Sequence, residues 1–331
     1  VRLILYISSK SEKAHDDHVR MAESLLSLTA SRCSMETASL AGSALGSVSV
    51  NSAKCEEECI QSCIRILTED KDNERRQVMV LHGILTSVKP TILMGVSNHF
   101  ECAFIIWLLE LILTSCEQSN TYEYFAFLLL RSWASKFLQI SNQIKTETDN
   151  NFKIDIPVAT LERITTVCKN NAESPTKGVS ELCNETLLDS YKIATHSLSQ
   201  VQADNFKSTN IQDALNKNWV QKSKYVQLKA LVKCYGHEAV LSDVDDLASG
   251  LSASLTSPHL VHAGAELYNL IIRELSFGRW RELFGPVMLQ SLLSGEQGVR
   301  DACREQWLPI TIKKFNSSVD FIFQGTDSAQ S

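Results

Sequence analysis

Apolar side chains recur at helical spacing along most of the chain. Two long apolar helices are predicted, around residues 99–116 and 122–145, and further amphipathic helices over 218–235, 243–255 and 277–293. Alternation typical of a strand is confined to short runs such as 47–50 and 321–323. The pattern therefore predicts an all-α protein.

Serine–proline pairs and a glycine suggest the positions of several helix starts. Ser174-Pro175 and Ser257-Pro258 each pair a residue that can cap a helix with a proline that fits the first helical position. Apolar residues at helical spacing follow both pairs, and a third start is predicted near Gly295. We therefore expect helices to open at these three points.

The predicted helices are joined by short connections, which favours neighbouring antiparallel helices. Pairs of roughly 40 residues are too small to bury an apolar face alone and can bury it by stacking on the next pair. The predicted architecture is a HEAT/armadillo-like α-solenoid of antiparallel helix pairs. A compact helical bundle is the alternative.

The domain organisation follows from breaks in this pattern. Residues 31–52 are rich in serine and weakly patterned, and residues 146–156 form a polar break. The resulting division is an N-terminal helical remnant over 1–30, a Ser-rich loop over 31–52, helical hairpins of a first solenoid part over 53–145, a loop over 146–156, helical repeats of a second solenoid part over 157–315, and a tail over 316–331.

Composition supports a folded helical chain. The 331 residues are 44% hydrophobic and include only 13 glycines and 6 prolines, so residues that interrupt helices are scarce. The chain begins with Val1 inside an apolar run and looks like a fragment of a larger protein. No export signal is visible, and the apolar run 100–116 carries Glu101 and Glu110 and is too short for a membrane span.

Motifs that carry catalysis are missing from the sequence. It has no GxGxxG, GxxxxGK[ST], GxSxG or HExxH pattern. The ten cysteines lie largely in helical patterns without the spacing of a structural zinc site, so reduced, buried thiols are expected. The prediction is a non-enzyme with no cofactor, no metal and no small-molecule substrate.

One segment indicates a possible binding surface. Residues 214–237 contain five lysines and no acid, interleaved with Trp219, Tyr225 and Tyr235. Lysines suit phosphate contact and aromatic rings suit base stacking, while a solvated lysine face is the simpler interpretation. A net charge of −6 opposes extensive nucleic-acid binding. The RNA-contact candidates are Lys217, Lys222, Lys224, Lys229 and Lys233.

The second half of the chain resembles a known family. Residues 219–236 (WVQKSKYVQLKALVKCYG), 241–255 and 280–308 (WRELFGPVMLQSLLSGEQGVRDACREQWL) are similar to the thyroid adenoma-associated protein (THADA) family. Residues 173–191 (ESPTKGVSELCNETLLDSY) and, more loosely, 125–138 (FAFLLLRSWASKFL) also fit it. The resemblance covers about residues 74–315 in patches.

The resemblance implies a cytoplasmic HEAT-like solenoid that acts as the non-catalytic partner of a tRNA 2′-O-methyltransferase catalytic subunit, with tRNA as a candidate second partner. That enzyme modifies a ribose in the anticodon loop. The alternative is an α-solenoid adaptor for protein cargo or membrane traffic. An exposed lysine face continuous with Arg273, Arg279 and Arg281 would favour RNA contact, whereas lysines paired with acids would favour the adaptor.

Overall fold

The computed structural model describes His82, Leu85 and residues 104–118, 123–147, 156–237 and 244–316. Of these residues 83% are helical, and none of them lies in a β-strand. The prediction of an all-α fold is therefore confirmed for the part of the chain that the structure describes. The predicted N-terminal remnant, the Ser-rich loop and nearly all of the tail lie outside the described residues.

The chain divides into two compact units, 1–199 and 200–331. The division falls inside the segment predicted as the second solenoid part. The described helices of the first unit are α1 (Phe104–Gln118), α2 (Glu123–Glu147), α3 (Val158–Asn170) and α4 (Val179–Ser197). Those of the second unit are α5 (Gln200–Asn216), α6 (Lys222–Tyr235), α7 (Val244–Ser252), α8 (Val261–Ile272), α9 (Phe277–Leu283), α10 (Gly285–Leu292) and α11 (Gln297–Ala302).

Two elements extend these helices. A 3₁₀ turn, Ala253–Thr256, continues α7, and a π turn, Cys303–Trp307, continues α11 into further helix over 308–316. Pro309 follows the π turn closely, and a proline removes an amide donor from the helical hydrogen-bond ladder. We call residues 297–316 together the C-terminal helix.

The first unit is held by an apolar interior shared among its four described helices. α1 packs against α2, and α4 packs against both α2 and α3. Trp133 of α2 is fully buried, and its Nε1 donates a hydrogen bond of 2.7 Å to the Ile105 carbonyl oxygen of α1. A buried ring with a satisfied donor fixes the approach of the two helices.

The turn before α4 shows why one predicted helix start is wrong. The Ser174 hydroxyl donates to Glu123 of α2 over 2.7 Å and accepts from the Thr176 amide over 3.1 Å, so it caps a turn. The helix begins only at Val179, after Gly178 adopts a left-handed φ of 89°. A Cβ at Gly178 would come within 2.8 Å of the Tyr124 ring.

The second predicted start is displaced in the same way. Ser257 places its backbone carbonyl oxygen 2.9 Å from the Leu260 amide and 3.2 Å from the Val261 amide. Residues 258–260 therefore form a turn, and α8 begins at Val261. The start near Gly295 is confirmed, since α11 begins at Gln297. A single helix over 277–293 is wrong, because the chain breaks at Phe284 between α9 and α10.

The second unit has its own interior. α6 packs against α5 and α8, and the π turn of the C-terminal helix packs against α8. Gly264 of α8 lets Ser254 of the 3₁₀ turn approach closely, because a Cβ there would lie 2.0 Å from its Oγ. Trp307 stacks on Tyr268 with ring centroids 4.2 Å apart and an interplanar angle of 5°.

Three cysteines lie in the interior of the first unit. Cys116, Cys168 and Cys183 are buried and form no disulfide. Burial, followed by the neighbouring thiols, raises the pKa values of Cys116 and Cys168, so both stay protonated. The expectation of buried, reduced thiols agrees with this arrangement.

Candidate nucleic-acid interface

The five candidate lysines lie on α6 and on the turn before it, but they have different environments. Lys224 is only 3% exposed. Its ammonium donates to the Leu215 carbonyl oxygen at 2.7 Å and to the Lys217 carbonyl oxygen at 2.6 Å. The side chain therefore satisfies carbonyl groups at the C-terminal end of α5. The charged end of Lys224 is therefore committed inside the unit, and the predicted RNA contact would require these two hydrogen bonds to break.

Two of the three aromatic residues of this segment, Trp219 and Tyr225, are also committed to the fold. The Lys224 ammonium lies 4.2 Å from the centroid of the Trp219 ring. The Trp219 ring also makes an edge contact with Tyr225 and lies against α7, where a Cβ at Gly250 would come within 2.0 Å of the indole. Tyr225 is 1% exposed and donates to the Trp219 carbonyl oxygen over 2.8 Å, and burial raises its pKa to about 12. A buried ring cannot stack on a base.

Lys229 joins α6 to α8 through an ion pair. Its ammonium lies 2.5 Å from a carboxylate oxygen of Glu266, and its side chain is only 13% exposed. The other carboxylate oxygen of Glu266 lies 3.9 Å from His262 Nε2. A lysine held by an acid in this way offers little free positive charge to a phosphate.

The remaining candidates are more accessible. Lys217 and Lys222 are half-buried and Lys233 is exposed. Lys222 and Lys233 take part in no ion pair within the residues that the structure describes. They lie eleven residues apart, close to one face of α6, with Lys229 between them. Three of the candidate lysines therefore share one face of α6, but the charge of the middle one, Lys229, is paired with a carboxylate.

Arg279 is paired as well, with its Nη1 3.0 Å from a carboxylate oxygen of Glu282. Of the five candidate lysines, Lys229 is paired with an acid, the arrangement that would favour a protein adaptor. The sequence pattern did not reveal these commitments, because Glu266 lies 37 residues beyond Lys229 and Lys224 satisfies carbonyl groups of the chain before it.

The structural role of Lys224 can be tested by replacing it with methionine, which keeps the length and packing of the stem. We expect Lys224→Met to destabilise the junction of α5 and α6 by about 1–3 kcal/mol, because carbonyl acceptors lose their donor. Native-state hydrogen exchange, read for amides of α5 and α6, measures this loss locally. Lys222→Met is the control and should leave the exchange of both helices unchanged.

A groove of about 440 Å³ lies between α2 and α4 in the first unit. Its wall includes Leu128, Ser132 and Lys136 from α2 and Glu185 from α4. Arg131, also in the wall, lies 2.6 Å from Glu185 and 3.4 Å from Asp189. Burial lowers the pKa of Lys136. The groove therefore combines one ion-paired cation with one partly desolvated lysine.

No family model matches this chain, and no curated protein is similar to it. The comparison with solved structures gives an engineered protein with a TM-score of 0.38 and 14% sequence identity, aligned over 94% of this chain and 73% of that chain. A likeness at this level carries no argument. Among the helices described above, none has both the length and the apolar character required to cross a membrane.

Proposed function

We propose that the chain is a non-catalytic helical scaffold built as a HEAT/armadillo-like solenoid. The observation that carries this proposal is the packing of helices near in sequence within each unit. α4 buries its apolar residues against both α2 and α3, and α6 packs between α5 and α8. Helices sandwiched between near neighbours in this way are typical of stacked repeats, which offer extended surfaces to partners.

The setting that we propose for this scaffold comes from the family resemblance. A member of the thyroid adenoma-associated protein family would support ribose 2′-O-methylation in the tRNA anticodon loop by a partner methyltransferase, in the cytoplasm. The enzyme would supply the chemistry, and the scaffold would hold enzyme and tRNA in a productive orientation. Positioning alone can account for a large rate increase, because it replaces an encounter in solution by a fixed geometry.

The proposal predicts that the chain binds a tRNA ribose 2′-O-methyltransferase catalytic subunit and increases its activity. Purified chain and catalytic subunit would be mixed with unmodified tRNA, and anticodon-loop methylation would be measured by mass spectrometry. We expect methylation to rise at least about tenfold over the catalytic subunit alone, the effect of about 1.4 kcal/mol of positioning. A catalytic subunit that neither binds the chain nor gains activity from it would contradict the proposal.

The adaptor for protein cargo or membrane traffic is the second candidate. It is supported by the Lys229–Glu266 ion pair and by the buried ammonium of Lys224, which leave less free positive charge on the α6 face. Measuring tRNA binding by the wild-type chain over a range of salt concentrations separates the two candidates, because only the tRNA scaffold is expected to bind tRNA. The contribution of the α6 face is then measured with variants. Alanine at Lys222, Lys229 and Lys233 lowers the salt dependence if this face contacts RNA and leaves it unchanged if it does not.

A further inference from the structure

Three aromatic side chains meet at one corner of the second unit. Phe277 and Trp280 of α9 stack with ring centroids 5.6 Å apart and an interplanar angle of 25°. Phe315 of the C-terminal helix lies 5.6 Å from Phe277 and 5.5 Å from Trp280, again between centroids. Phe315 is buried beneath the other two, which are half-buried. The corner therefore presents part of a stacked aromatic pair to solvent on a buried support.

Hydrogen bonds to the interior of the unit fix the orientation of the Trp280 ring. Its Nε1 donates a hydrogen bond of 2.9 Å to the Tyr268 hydroxyl, which in turn lies 2.6 Å from the Thr311 hydroxyl. Because the ring is held by a buried network, it cannot turn away from solvent without breaking these bonds. A rigid aromatic platform loses little side-chain entropy when a planar ligand stacks on it.

Three exposed cations lie close to the aromatic residues along the chain: Arg273, Arg281 and Lys314. Arg281 follows Trp280 and lies one helical turn beyond Phe277. Lys314 precedes Phe315, and its ammonium donates to the carbonyl oxygen of Arg273 at the end of α8. Neither Arg273 nor Arg281 has an acid as ion-pair partner within the described part of the chain. In contrast to Lys229 of α6, these two guanidinium groups keep their charge available.

We infer that this aromatic and basic corner, formed by Arg273, Phe277, Trp280, Arg281 and Lys314, binds single-stranded RNA. Aromatic faces accept unstacked bases, and flanking guanidinium and ammonium groups contact the phosphates on either side. The identification of RNA as the partner rests on the proposed function, whereas the location of the surface rests on the geometry. The surface shares no residue with the lysine face of α6.

Nearby acids limit the strength of the field at the corner. Glu274 is exposed next to Arg273, and Glu282 is paired with Arg279. The corner and its neighbours Arg279 and Lys313 carry five cations against these two acids, so the local charge stays positive. We therefore expect modest affinity with a clear dependence on salt.

The test measures binding of the full chain to a fluorescein-labelled twelve-nucleotide oligouridylate by fluorescence polarisation at several salt concentrations. The double variant Arg273→Ala, Arg281→Ala should weaken binding about tenfold or more and lower the salt slope by about 1.4, the sum of two single-strand phosphate contacts. Phe277→Leu should weaken binding about tenfold with little change in slope, because stacking is lost while charge is kept. Circular dichroism confirms that each variant is folded.

The matched control is Lys222→Ala, Lys233→Ala, which removes two accessible cations from the α6 face. It should leave both affinity and slope within about twofold of the wild type. Absence of oligouridylate binding by the wild-type chain, or loss of binding in the control with retention in the corner variants, would overturn the inference. Equal binding of a polyglutamate peptide, unaffected by Phe277→Leu, would instead assign the corner to an acidic protein. None of these results determines the outcome of the methylation assay, so this inference and the proposed function can fail separately.

Discussion

Trp133→Ala is expected to destabilise the first unit by about 3–5 kcal/mol, the usual cost of removing a buried tryptophan. Trp133 is fully buried and stacks on Phe137 with ring centroids 5.2 Å apart. The substitution leaves a cavity between α1 and α2 and removes the donor to the Ile105 carbonyl oxygen. Both losses act on the same helix pair, so the effect should be among the largest in the chain.

Hydrogen exchange of amides in α1 and α2 measures this effect without assuming that both units unfold together. Trp133→Phe is the matched control: it keeps most of the ring volume but loses the hydrogen bond, so its cost should be smaller, about 1–3 kcal/mol. A cost for Trp133→Ala below about 1 kcal/mol would mean that the two helices are not held by this contact.

The sequence predicted the long helices well because their apolar faces are wide and repeat over several turns. α1 and α2 agree with the predicted segments to within a few residues where the structure describes them. α5 was not predicted from the sequence. Its buried residues are Phe206, Asn210 and Ala214, and only one of these is strongly apolar, so the apolar stripe of the helix is weak. A helix with so narrow a buried face is difficult to recognise from periodicity.

Helix starts were predicted less well, since serine and proline also favour turns. Ser174 bonds to Glu123, 51 residues earlier, and a partner so distant in sequence leaves no local signal. The same physical reason applies to the candidate site. The clustering of lysines was visible in the sequence, but the depth of Lys224 depends on where α5 ends, and the pairing of Lys229 depends on how α8 packs on α6.

The aromatic and basic corner was visible only in part. Arg273, Arg279 and Arg281 were recognised as cations that could extend the lysine face, but their relation to Phe315 was not. That relation is created by the packing of the C-terminal helix, which brings Phe315 within 5.6 Å of Phe277 from 38 residues further along the chain. Helical periodicity reports the contacts of one face and carries no information on which distant ring will meet it.

The interior beneath this corner gives the second large expected effect. Trp307→Ala should destabilise the second unit by about 3–5 kcal/mol, because a fully buried indole is lost from a stack with Tyr268 and an edge contact with Phe284. The loss should appear as faster hydrogen exchange in α8 and the C-terminal helix. Since Tyr268 also orients Trp280, oligouridylate binding should weaken in the same variant.

Trp307→Phe separates ring packing from hydrogen bonding at this position. The Trp307 Nε1 is buried without a hydrogen-bond partner among the residues that the structure describes, so its removal strands no acceptor. Phenylalanine should retain stacking on Tyr268 and cost less than about 2 kcal/mol, mostly for the smaller ring. If Trp307→Phe proves as destabilising as Trp307→Ala, the indole nitrogen must have an acceptor, and the account of this interior as an aromatic stack would need that acceptor added.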